Sequence, residues 1–203
     1  KLRLDEKVRT SEYAASMGGS QIFLEPGEEM TVDELLRGIA IASANDASVA
    51  MAERIAGSEE AFVEKMNEKA KELGLKNTVF TNSTGLPDEG HYSTAHDMAV
   101  IAKELLKYKD ITKYTGMYES YLRENTDKKF WLVNTNRLVK FYPGVDGLKT
   151  GYTREAKYCL TATAQKNGMR VIAVVFGVPT SKERNAEVAK MFDYAFNQYE
   201  THP

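Results

Sequence analysis

The sequence is poor in cysteine, histidine, tryptophan and proline, with one, three, one and five of each among 203 residues. A single cysteine, Cys159, excludes an internal disulfide and with it the small disulfide-framework class. It sits in the apolar-rich run Tyr158-Cys159-Leu160-Thr161-Ala162 and is expected to be a buried core thiol. Long apolar runs are missing too: nothing approaches the roughly 18 to 20 residues a membrane helix needs. The opening Lys1 to Val8 lacks the apolar stretch of a signal peptide, so the polypeptide as it stands reads as soluble. Neither sign of charge is in excess, with 27 Lys and Arg against 29 Asp and Glu and a formal net charge of −2. That balance gives no global pull toward nucleic acid or anionic membrane, so any basic site must be local.

What is present suits a folded chain: 42% hydrophobic and 28% charged residues, enough to bury one sizeable core, so residues 1–203 are expected to form one domain. Thr31-Val32-Asp33-Glu34 is a capping box, and Leu35, Leu36, Ile39 and Ala40 follow at helical spacing. Asp46 to Ala56 reads as a small-residue helix stopped by Gly57. Ser58 caps another with Phe62, Met66, Ala70 and Leu73 on its apolar face, and Thr94 starts a further one burying Met98, Ile101, Leu105 and Leu106. The C-terminal half changes character. Tyr158 to Ala164 and Val171 to Gly177 are β-prone, and Asn167-Gly168 between them signals a tight hairpin turn. A second capping box, Thr180 to Glu183, opens a long helix marked by Val188, Phe192, Ala195, Phe196 and Tyr199. Helices, then strands, then a helix give an α+β class. No internal repeat is visible, and Thr201-His202-Pro203 looks like a cut just past a helix.

Two short motifs carry chemistry. Lys149-Thr150-Gly151 precedes the hairpin and puts a cation, a hydroxyl and a bare stretch of backbone on a strand, a combination suited to a carboxylate. Ser43-Ala44-Asn45 lies at a break between helical stretches, where both polar side chains could face a cleft. Taken alone, the first also reads as a solvated strand end and the second as helix capping. Together, a Ser-x-Asn roughly a hundred residues before a Lys-Thr-Gly is the pairing found in serine penicillin-binding enzymes and β-lactamases.

On these motifs the sequence resembles the low-molecular-weight D-alanyl-D-alanine carboxypeptidases of peptidase family S11, especially the sporulation-associated type of spore-forming Gram-positive bacteria. The resemblance runs almost end to end through Gly18-Gly19-Ser20, Leu24-Glu25-Pro26-Gly27, Gly57-Ser58, Leu73-Gly74-Leu75-Lys76-Asn77-Thr78, Ser93-Thr94-Ala95 with Asp97-Met98-Ala99, and Val145 to Gly151. It implies a β-lactamase/transpeptidase-like fold, a helical subdomain plus an antiparallel sheet flanked by helices. The family's Ser-x-x-Lys, holding the acylated serine, is not here: no serine has lysine three residues on. The expectation is a chain without its N-terminal strands and nucleophile helix, inactive alone.

Carried over by resemblance, Ser43 relays a proton to the leaving amine, Asn45 holds the substrate's peptide amide, and Lys149 keeps the site electropositive. Thr150, beside the open backbone of Gly151, binds the terminal carboxylate, and the Tyr152 N–H forms half of the oxyanion hole. Arg184, at the start of the last helix, is implied as a carboxylate clamp; by itself it also reads as a solvated helix arginine. These groups are expected to line one cleft. The substrate implied is a peptidoglycan stem peptide ending in D-Ala-D-Ala, with β-lactams as inhibitors, no cofactor, no metal and no nucleic acid. By resemblance the place is the outer face of the cytoplasmic membrane, reached through a signal and a C-terminal anchor outside this sequence. His91 and His96 flank Ser93 without a third ligand and read as surface residues, and Trp131 reads as core or cleft wall. Two alternatives stay open: a wall-peptide-binding module without a nucleophile, and a β-lactamase, although the Glu-x-x-Leu-Asn string of class A enzymes is absent.

Overall fold

A computed structural model describes residues 1–202; Pro203, the end of the expected C-terminal cut, lies outside the described residues. The chain separates into two compact units, residues 1–92 with 119–133 and residues 93–118 with 134–203.

The first unit begins with strand β1 (Lys7–Arg9), a short helix α1 (Glu12–Ala15) and β2 (Glu29–Thr31), which pairs antiparallel with β1. Thr31 then caps helix α2 (Val32–Ala42), and both halves of its capping box form: Thr31 Oγ1 accepts from the Glu34 N–H, and Glu34 accepts from the Thr31 N–H. Helix α3 (Asn45–Ala56) follows after two residues and ends at Gly57; Ser58 caps α4 (Glu59–Glu72). Small residues let α3 sit in the middle, packed against α1, α2, α4 and β1, with Ala47, Val49, Ala50 and Ala52 buried. On α4 only Ala70 is fully buried, and Phe62, Met66 and Leu73 are half-buried. The unit closes with the hairpin β3 (Glu119–Leu122) and β4 (Phe130–Val133), on which α2 packs. Arg37 fastens it, donating to Ser120 Oγ and the Tyr121 carbonyl at 2.8 Å each.

The second unit opens with α5 (Ala95–Leu105), capped by Thr94, then α6 (Ile111–Thr115) and α7 (Leu138–Phe141). It is built on the antiparallel sheet β5 (Val145–Thr153), β6 (Lys157–Lys166) and β7 (Met169–Val178), in that order, with β5 at one edge. Between β6 and β7 the expected turn forms with Asn167 at φ 50° and Gly168 at φ 77°, the two left-handed residues of a type I′ hairpin that Asn-Gly adopts at low cost. Helix α8 (Ser181–Gln198) starts at Thr180, whose hydroxyl accepts from the Glu183 N–H, and packs on β6 and β7. The core there is Leu160, Ala162 and Ala164 with Val188 and Phe192, a period of two on the strand meeting a helical period. Arg170 on β7 grips Asp146 on β5 with its two terminal guanidinium nitrogens, at 2.8 and 2.9 Å.

Several burial expectations are corrected. Cys159 is half-buried, because it lies on the sheet face opposite Leu160. Trp131 is 57% exposed, which removes the core half of its reading as core or cleft wall; its indole N–H donates to Glu119, and Leu132 and Leu122 supply the buried side of the hairpin. Leu105 and Tyr199 are exposed at helix ends; on α5 the buried positions are Asp97 and Ala102. No helix among the described residues is long and apolar enough to cross a membrane.

Candidate active site

In the first unit the Ser43-Ala44-Asn45 motif is the joint between α2 and α3. Ser43 closes α2 in the left-handed conformation, φ 60° and ψ 37°, which costs a non-glycine residue roughly 1–2 kcal/mol and marks a position the surroundings enforce. Neither polar side chain serves as the N-cap of α3. That residue is Ala44, which has no side-chain cap bond, so the capping reading of the motif fails. Asn45 is 8% exposed and its Nδ2 donates to the Gly18 carbonyl at 2.9 Å, while its backbone N–H donates to the Ser20 carbonyl at 2.8 Å. Gly19 completes the seat. At φ +70°, a Cβ there would come within 2.8 Å of Asn45 Nδ2, so only glycine lets the loop close on the amide.

Sequence reasoning missed the group holding this seat together. Asp46, with no exposed surface, accepts from the Ile22 and Leu24 backbone N–H groups at 3.1 and 2.9 Å and from the Ala47 N–H at 3.0 Å. A buried carboxylate is tolerable only when so paired, and its place in the first turn of α3 favours negative charge. The available signal was an aspartate directly after the motif at a helix start.

In the second unit Lys149, Thr150, Gly151 and Tyr152 follow one another on edge strand β5. Lys149 stands opposite Thr161 on β6 and its Nζ donates to the Thr150 carbonyl at 2.9 Å. Burial of the ammonium pulls its pKa from 10.5 down to about 8. The Thr150 and Thr135 hydroxyls hydrogen-bond to one another, Oγ1 to Oγ1, at 2.7 Å. A Cβ at Gly151 would meet nothing closer than the Cys159 Cβ at 4.0 Å, so the space beside this backbone is open to a ligand. The Tyr152 ring lies on Tyr158 with centroids 4.4 Å apart.

Arg184 meets this strand through Tyr158: its guanidinium carbon lies 5.8 Å from that ring's centroid. It is 5% exposed, which excludes the solvated-arginine reading. Its Nε donates to Asn185 Oδ1 at 3.1 Å, and among the described residues no carboxylate pairs with it. Burial lowers its pKa, with Tyr158 and Cys159 opposing that pull. A buried guanidinium of this kind is a ready partner for a carboxylate.

A family profile described as D-alanyl-D-alanine carboxypeptidase, peptidase S11, matches residues 1–180. The chain belongs to the peptidase S11 family. Over 203 residues it is 78% identical to D-alanyl-D-alanine carboxypeptidase DacF of Bacillus subtilis (strain 168), covering 100% of this chain and 52% of that protein. Among solved structures, D-alanyl-D-alanine carboxypeptidase DacD from Francisella tularensis superposes with a TM-score of 0.92 at 32% identity, covering 98% of this chain and 60% of that one. Penicillin binding protein 5 from Haemophilus influenzae gives 0.91 at 36%, covering 99% and 59%. The fold is therefore the penicillin-binding protein, β-lactamase-like one, and the chain spans about half the length of the curated relatives it matches.

In this S11 chain the two histidines that flank Ser93 differ in exposure. His91 is half-buried, not a surface residue; its Nδ1 accepts from the Thr81 backbone N–H at 2.9 Å, and burial lowers its pKa. His96 is exposed.

Proposed function

We propose that the full-length protein carrying this chain is a serine-type D-Ala-D-Ala carboxypeptidase that removes the terminal D-alanine from peptidoglycan stem peptides, and that β-lactams acylate the same serine. The observation that carries the reading is the buried Arg184, which among the described residues has no carboxylate partner and is tied through Tyr158 to the strand bearing Lys149, Thr150 and Gly151. A carboxypeptidase must recognise a free terminal carboxylate, and this strand offers a cation at one side, a hydroxyl and an open backbone edge.

The roles are those the family resemblance implies. A serine of a Ser-x-x-Lys motif, supplied by the full-length protein, gives its proton to that motif's lysine and attacks the penultimate D-alanine carbonyl, and the tetrahedral oxyanion takes the Tyr152 N–H as one of its two donors. Asn45, immobilised by Gly18 and Gly19, holds the substrate amide. Ser43 passes a proton to the departing amine nitrogen, Lys149 keeps the site electropositive, and Thr150 and Arg184 hold the carboxylate of the leaving D-alanine. Water then hydrolyses the acyl-enzyme, restoring the serine. The enzyme would work outside the cytoplasmic membrane, where its substrate is.

Intact-mass measurement after incubation with benzylpenicillin tests the acyl-enzyme. The full-length protein should gain one stoichiometric adduct and the 203-residue chain none. An adduct on any serine of this sequence overturns the claim that the nucleophile lies elsewhere. A full-length protein that binds the peptide yet gains no adduct is a wall-peptide-binding module instead.

A further inference from the structure

We propose that Thr135 is a positioning residue for carboxylate recognition, acting as the second hydroxyl of a chain that runs through Thr150 to the substrate. The inference rests on the reading of Thr150 as a carboxylate-binding hydroxyl. Thr150 Oγ1 and Thr135 Oγ1 lie 2.7 Å apart, a short contact between two side chains fifteen positions apart in sequence. The two oxygens share one hydrogen bond, and each hydroxyl can serve in it as donor or as acceptor. A carboxylate accepts only, so when one arrives the Thr150 proton must turn to it, and the oxygen left behind must find a donor. Thr135 can rotate its own O–H to become that donor. The Thr135 to Thr150 to carboxylate chain then runs in one direction, and each bond polarises the next.

The backbone around Thr135 is fixed as such a role demands. Asn134 and Asn136, each 2% exposed, flank it. Asn134 Nδ2 donates to the Thr115 and Met117 carbonyls at 2.9 and 2.8 Å, and its Oδ1 accepts from the Asn136 N–H at 2.8 Å. Asn136 Nδ2 donates to the Gly147 carbonyl on β5 at 3.2 Å, and its Oδ1 accepts from the Leu138 N–H at 3.1 Å. One of these buried amides thus pins Thr135 to the strand that carries Thr150, holding the two hydroxyls in register.

The test is steady-state kinetics of the full-length protein on a D-Ala-D-Ala peptide and on its C-terminal amide. Thr135→Val, nearly isosteric without the hydroxyl, should lower kcat/KM on the free acid by about tenfold, mainly through KM, and leave the amide unchanged. Thr135→Ser should return to within about threefold of wild type. Thr150→Val should lose at least as much, and adding Thr135→Val to it should cost less than a further twofold or so, because the second hydroxyl then has nothing to position. If Thr135→Val lowers the melting temperature, Thr135→Ala takes its place. Equal losses on acid and amide, no recovery with serine, or additivity with Thr150→Val makes Thr135 merely structural and overturns the proposal. A defective Thr150→Val beside a normal Thr135→Val sinks this inference alone. A silent Thr150→Val removes the reading of Thr150, and Thr135 with it.

Discussion

Asp46 should be the most stability-critical polar residue of the first unit. Its carboxylate has no exposed surface and takes three backbone N–H groups, from Ile22, Leu24 and Ala47. Asp46→Ala leaves those donors buried without a partner. At about 1–3 kcal/mol for each orphaned group, and less than additively because the loop can shift to water, the cost should be about 3–5 kcal/mol. Asp46→Asn separates charge from hydrogen bonding. Its oxygen can still serve Ile22 and Ala47, which share Oδ1, but its NH2 meets the Leu24 N–H donor to donor, for a cost of about 1–3 kcal/mol. Urea unfolding of the 203-residue chain can read this locally, because its one tryptophan, Trp131, lies on β4 in the same unit. With a slope of about 2–3 kcal/mol per molar for a chain of this size, Asp46→Ala should lower the tryptophan-detected midpoint by about 1–2.5 M. A loss below about 1 kcal/mol, or equal losses for alanine and asparagine, would refute the argument that the carboxylate itself fastens the loop.

Two further perturbations probe the second unit. The Lys149 ammonium has its pKa lowered from 10.5 to about 8, so between those values the unfolded chain holds a proton that the folded chain has released. Stability should therefore rise from about pH 8 to 10.5, a gain of up to about 3 kcal/mol that Lys149→Met lacks, measured by urea unfolding at both pH values. Arg184→Ala in the full-length protein should lower kcat/KM on a D-Ala-D-Ala peptide tenfold to a hundredfold or so, about 1.5–3 kcal/mol, with partial recovery by lysine and indifference on an amidated terminus. Equal effects on both substrates would leave carboxylate binding to Lys149 and Thr150.

Local chemistry made much of the fold legible. The helix starts at Thr31, Ser58, Thr94 and Thr180 and the Asn167-Gly168 turn are set by bonds spanning three or four residues, which the sequence displays directly. The α+β class followed from their order. Two motifs and a family resemblance pointed to Ser43, Asn45, Lys149, Thr150, Gly151, Tyr152 and Arg184. What stayed hidden depends on distant partners. Asp46 matters through Ile22 and Leu24, and Thr135 through Thr150, pairings that exist only after the chain has folded. Exposure failed for the same reason: Trp131, Leu105 and Cys159 are apolar enough for a core, but which face of a strand or helix is covered depends on the element packed against it.

The most direct test of the central claim is the release of free D-alanine from an N-acylated peptide ending in D-Ala-D-Ala by the full-length protein. The account predicts steady release of one D-alanine per peptide, abolished by prior treatment with benzylpenicillin and strongly reduced when the terminal carboxylate is amidated. Release that persists after penicillin treatment, indifference to amidation, or no release from a protein that turns over the β-lactam instead would contradict it.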